Sequence, residues 1–268
     1  KAELDDMDAW EAASAGGDTQ LTLRAQVAML GASASHDTID SFAGLGKEAD
    51  DSAEGARLVE AYADALAEAG KLPEAEAQYR RAQAIRERVL PESHIDRALG
   101  LQKLGAILAV EKKPTEALAL FDRSQPAIER AFPPLRREAI EGLRFRAMAE
   151  EDLGHLERGL ELYREVLARR SKVLGGDAGL TLDARADVAR ALGDLGHDSE
   201  AAAELAEVVA GHLARDGEKS VNAANARLEL ANRLITLGRF DEAGAALAKA
   251  LPVIAAAHGE DSPYVDAV

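Results

Sequence analysis

The sequence predicts an all-α chain: a right-handed superhelical solenoid of five two-helix hairpins with an N-terminal helical cap. Three observations predict it. A short turn phrase recurs at 42-residue spacing, a small and a bulky residue recur in step with it, and the stretches between carry apolar residues at helical intervals.

Residues 1–52 do not hold the repeat. They carry three positive charges (Lys1, Arg24, Lys47) against eleven negative ones, half of the chain's net −16. Short helices are expected from Glu3 to Ala13 and from Thr19 to Leu30, parted by Gly16-Gly17, with a third apolar cluster at Ile39, Phe42 and Leu45. The segment reads as a cap or degenerate repeat over the first hairpin. An acidic tail that contacts a basic partner is the alternative.

Five tandem units fill residues 53–259. Gly70-Lys71-Leu72-Pro73-Glu74-Ala75 returns as phrases opening at Gly154, Gly196 and Gly238, spaced 84, 42 and 42. Lys112 fills the vacant position, and Lys113-Pro114-Thr115-Glu116-Ala117 keeps the ending in step. A small residue recurs as Ala63, Gly105, Ala147, Ala189 and Ala231, and a bulky one as Tyr79, Phe121, Tyr163, Leu205 and Leu247. Breakers fall at Pro91, Pro133, Gly175, Gly217 and Gly259.

In the first unit Val59, Tyr62, Ala63 and Leu66 mark one face of a helix. Gly70 then supplies the left-handed stop, and Pro73 suits the first turn of the next helix, where its missing N–H costs nothing. The second helix runs on through Ala75, Tyr79, Ala82, Ile85, Val89 and Leu90. Short side chains mark where the two helices approach, and stacked hairpins bury the stripe that one hairpin cannot bury alone.

Two places strain the pattern. Arg146 and Glu150 stand where other units carry Tyr62 and Leu66, so either they pair along that helix or the helix is rotated, with Phe145 and Met148 taking over the packing. Pro126 and Pro252 fall inside otherwise helical stretches, which should kink or end there. Residues 260–268 repeat the linker and start a further, truncated helix, so the last hairpin is expected to expose an apolar face open to self-association. With Lys1 rather than methionine at its head, the chain is expected to be a fragment or a processed form.

The turn glycines, the small residues Gly105 and Ala231, the alanines Ala75, Ala117, Ala201 and Ala243, and the bulky residue after them resemble the tetratricopeptide repeat. The 42-residue period with its long second helix is similar to the kinesin-light-chain type common in bacterial proteins. The resemblance covers residues 56–259 and implies a concave face that grips a peptide or partner protein.

Composition narrows the function classes. An acidic chain with ten aromatics repels phosphate backbones and offers few stacking platforms, which speaks against nucleic acid and anionic membrane surfaces. No run of 18 apolar residues occurs, so no membrane insertion is expected in this segment. Cysteine is absent, which removes thiolate catalysis and cysteine-ligated zinc. The six histidines (His36, His94, His155, His197, His212, His258) lack metal-ligand spacing, and Gly44-Leu45-Gly46-Lys47 lacks the leading glycine and hydroxyl residue of a phosphate loop. No enzyme, cofactor or metal site is expected. The compartment is open, with the cytoplasm favoured and the periplasm requiring an upstream signal or anchor.

By the resemblance, the first helices face inward. Their residues one, four and eight after each unit start then project into the groove: Arg57, Glu60, Asp64, Gln102, Arg144, Met148, Arg190, Asn225 and Asn232 are the candidate contacts, with Ala186 among the apolar positions between them. All three asparagines, Asn222, Asn225 and Asn232, share one helix although asparagine is a poor helix former. An amide that both donates and accepts suits clamping of an extended peptide backbone; helix capping, above all at Asn222, is the alternative. Arginine clusters on second helices (Arg80-Arg81 with Arg86 and Arg88, and Arg169-Arg170) read as ion pairs on the outer side rather than an anion-docking patch. The expected function is a non-enzymatic module that binds a peptide or partner protein. The alternative is a sensory or regulatory region of a larger bacterial kinase or transcription regulator.

Overall fold

The computed structural model describes residues 49–258, which form ten helices paired as hairpins; the expected N-terminal helices and the start of a further helix after the fifth unit lie outside them. The chain divides into two units at residues 131 and 132.

Unit 1 holds α1 (Ala53–Glu68), α2 (Leu72–Val89), α3 (Ile95–Val110) and α4 (Pro114–Ala131). Each helix packs on the next in sequence. Ser52 starts α1 by accepting the Gly55 N–H with its hydroxyl at 2.9 Å, and His94 starts α3 by accepting the Asp96 N–H on Nδ1 at 3.2 Å. Ala56, Val59, Ala82 and Ile85 form the core of the first hairpin. The small-against-bulky rule is visible in the second, where a Cβ on Gly105 would lie 2.9 Å from the Phe121 ring.

Unit 2 holds α5 (Arg137–Asp152), α6 (Leu156–Leu174), α7 (Gly179–Asp194), α8 (Asp198–Asp216), α9 (Val221–Thr236) and α10 (Phe240–His258), again packed in sequence order. Its core runs through Ile140, Leu143, Ala147, Tyr163, Val166, Val188 and Leu192. α5 keeps the common register: Ile140, Leu143 and Ala147 are buried like Ala56, Val59 and Ala63 of α1, and the odd carboxylate Glu150 bonds His155 at 2.8 Å. Met148 packs beside that core without any rotation of the helix.

The turn within each hairpin is one structure repeated. Gly70, Gly154, Gly196 and Gly238 have φ between 72° and 82°, and Lys112 has φ 59°. The next N–H then reaches back five residues, from Lys71 to Leu66, Lys113 to Leu108, His155 to Glu150, His197 to Leu192 and Arg239 to Leu234, at 2.8–2.9 Å. α4 and α10 continue through Pro126 and Pro252 rather than ending there.

A second periodic row was not evident as core from charge alone. Arg86, Ile128, Arg170, His212 and Ile254 occupy equivalent places 42 apart, and all are buried. Arg86 and Arg170 are therefore interior groups, not part of a solvated outer side. Arg170 donates to Glu141 at 2.7 Å and to the Leu180 carbonyl at 2.8 Å, tying α6 to both flanking first helices. Of the remaining cluster members, Arg80 pairs with Glu76 and Glu116, Arg88 with Asp51 and Arg169 with Glu165, while Arg81 donates to the Ala49 carbonyl at 3.4 Å.

Candidate functional site

In unit 1 the expected groove residues tie first helix to first helix. Arg57 of α1 bonds Asp96 of α3 at 2.8 Å, and Lys103 of α3 bonds Asp64 at 2.7 Å and Glu60 at 3.1 Å. Glu60 also accepts from buried Arg86 at 2.5 Å, and Asp64 accepts from the Tyr79 hydroxyl. Burial works against the charge on Lys103, but the carboxylates of Glu60 and Asp64 outweigh it and hold its pKa above the ordinary value. Burial, with Asp64 beside it, pushes the Tyr79 hydroxyl far up. Gln102 is half-buried on α3.

Unit 2 repeats the device. Arg144 of α5 bonds Asp187 of α7 at 2.7 Å. Arg190 of α7 bonds Glu151 of α5 at 2.8 Å and the Tyr163 hydroxyl at 2.9 Å, with its guanidinium 5.3 Å from the centre of the Tyr163 ring. The Tyr163 hydroxyl donates to Glu151 at 3.0 Å. Burial alone would lower the Arg190 pKa; Tyr163 and Glu151 more than reverse it, so this cation is fixed.

These cross-links fall at sequence separations of 39 and 43. A separation of 42 names the equivalent residue on the next first helix, and a side chain reaching a turn back or one position on meets its neighbour there. Opposite charges at those offsets were the signal that sequence reading passed over.

The asparagines behave differently. Asn225 and Asn232 are exposed on α9, and neither side-chain amide hydrogen-bonds another described residue. Asn222 is not the cap of α9; Ser220 is, accepting the Ala223 N–H at 3.2 Å. Arg233, one position beyond Asn232, bonds Asp198 at 3.2 Å and lies so close over Gly193 that a Cβ there would sit 2.2 Å from its Cζ.

Besides His94 and His155, His197 lies 3.7 Å from Glu200 and buried His212 lies 3.6 Å from Asp216. Among the described residues no group of three or more His, Cys, Asp or Glu is placed to hold a metal ion, and no helix is long and apolar enough to cross a membrane.

The tetratricopeptide repeat family model matches residues 63–96 and 223–264. Of solved structures, a Podosopora anserina protein described as a kinesin light chain with nearly identical TPR-like repeats is 21% identical with a TM-score of 0.65, over 75% of this chain and 95% of that one. The two matched segments are tetratricopeptide repeats, and the fold of the described residues is that of tetratricopeptide repeat solenoids. The hairpins recur every 42 residues, and their fold is similar to that of the kinesin-light-chain-like repeats of the P. anserina protein. Two further structures share the repeat fold: a Rap protein complexed with competence and sporulation factor, at 16% identity and TM-score 0.68 over 90% of this chain and 65% of that one, and NprR in complex with its cognate peptide NprX, at 11% and 0.65 over 88% and 68%. No curated protein matches the sequence significantly.

Proposed function

We propose that this tetratricopeptide repeat chain is a non-enzymatic interaction module that holds an extended peptide on the first-helix side of unit 2. One observation carries the reading. Arg57, Glu60, Asp64, Arg144 and Arg190 are taken up in bonds between helices, whereas the Asn225 and Asn232 amides stand exposed and unbonded to other described residues. Seven residues apart on one helix, they lie on one stripe about 10 Å long, which matches about three residues of extended chain. Each amide can accept a peptide N–H and donate to a peptide carbonyl. The two neighbours solved with competence and sporulation factor and with the peptide NprX support a peptide as the ligand class.

The test is binding of a library of acetylated, amidated hexapeptides to the chain and to its Asn225→Ala/Asn232→Ala variant. Losing two amide contacts worth about 1 kcal/mol each should weaken binding by roughly tenfold or more with helicity unchanged. Equal affinity would remove the asparagines from the site. A second reading is a sensory or regulatory region of a larger bacterial kinase or transcription regulator. It rests on the two peptide-bound neighbours, of whose lengths the match spans 65% and 68%. A catalytic or DNA-binding domain in the same reading frame would decide for it.

A further inference from the structure

We infer that the peptide bound on unit 2 carries a lysine or arginine side chain, received by Glu229 of α9, whose equivalent partner position on α7 is the uncharged Ala186. This deepens the proposed function and rests on it.

The cross-links at separation 43 carry the inference. Glu60 meets Lys103 at 3.1 Å, and Arg144 meets Asp187 at 2.7 Å. The equivalent pair between α7 and α9 is Ala186 and Glu229. A methyl group supplies no charge, and Glu229 forms no ion pair with another described residue. The two arginines whose fields reach it are already engaged, Arg190 by Glu151 and Tyr163, Arg233 by Asp198. Burial raises the Glu229 pKa, and nearby Asp187 adds to the rise; Arg190 and Arg233 do not cancel it. Glu229 is exposed on α9, and a carboxylate that is accessible, without a cation in contact and at the place where the other first-helix pairs supply one, is the complement of a ligand cation.

The position of Glu229 says what bears that cation. It follows Asn225 by four residues and precedes Asn232 by three, so the three side chains form one stripe of α9. Two amides suited to a peptide backbone therefore flank a carboxylate suited to an ammonium or guanidinium group. Asp183, also exposed on α7, adds negative charge on the same side chain row as Ala186 and disfavours an acidic ligand.

The hexapeptide library tests this with one position fixed as Lys, Arg, Gln or Glu and the others mixed, read by fluorescence polarisation. At one position Lys or Arg should bind about tenfold more tightly than Gln, the value of one charge-assisted contact. Glu229→Gln should bring that ratio to about one. Ala186→Arg, which plants the cation as Arg144 does for Asp187, should also bring it to about one while raising Tm by about 1–2 °C. Binding with no Lys or Arg preference, or a preference that survives both variants, overturns the inference and leaves peptide binding standing. Failure of every hexapeptide to bind the wild-type chain overturns the proposed function and this inference with it.

Discussion

Replacing Lys112 by glycine should stabilise unit 1. Lys112 has φ 59°, the left-handed region, at the turn where the other hairpins have glycine. A side chain there brings Cβ against the following carbonyl at about 1–2 kcal/mol, while glycine returns roughly 0.5–1 kcal/mol as extra freedom of the unfolded chain. The net gain is about 0.5–1 kcal/mol. For a chain of this size that raises Tm by roughly 1–4 °C. The hydrogen bond from the Lys113 N–H to the Leu108 carbonyl, 2.8 Å, is kept, so the hairpin geometry does not change. Urea unfolding followed by circular dichroism should compare Lys112→Gly with Lys112→Ala, because both delete the side chain and only the first relieves the backbone. The reverse case is Gly154→Ala at φ 82°, where an added Cβ meets nothing within 4 Å and the loss is conformational alone. If Lys112→Gly is no more stable than Lys112→Ala while Gly154→Ala is clearly destabilised, the strain ascribed to Lys112 is wrong.

Two further substitutions probe the interior and the turns. Arg170→Ala should cost about 2–3 kcal/mol, below the full penalty for breaking a buried pair because Glu141 retains contact with water, and Arg170→Ile should cost less than half of that, since Ile128 and Ile254 fill equivalent places; equal losses in urea titrations would contradict the equivalence. Burial would raise the Glu76 carboxyl, but hydrogen bonds from Lys113 and Arg80 hold it at about 2 against an ordinary 4.5. A folded pKa below the unfolded one stabilises above pH 4.5 and is lost as pH falls toward 2, so wild-type Tm should drop more steeply over that interval than Tm of Glu76→Gln. Parallel Tm profiles would show that the pair contributes nothing to stability.

Much of the fold was legible because its constraints are local and repeat. The turn glycines need positive φ, the alanines at 63, 147, 189 and 231 sit where helices touch, and each recurs at 42 residues whatever fills the rest. Lys112 could be placed in the turn by position although its residue type argues against it. The site was less legible because charge has no fixed meaning on a helix. Arg57, Glu60, Asp64, Arg144 and Arg190 fall where groove positions were expected, but the first helices stand close enough for these groups to bond one another. Arg86 and Arg170 resembled surface cations until the equivalence with Ile128 and Ile254 revealed a buried row. Glu229 carried no motif; it becomes notable only when Ala186 is seen to break the series of pairs.

Hydrogen exchange of the chain saturated with its tightest library hexapeptide tests the central claim most directly. The account predicts slowed exchange or new side-chain protection centred on residues 221–236, with a smaller effect over 179–194 and none attributable to α6, α8 or α10. Protection confined to those second helices, with α7 and α9 unchanged, would contradict it.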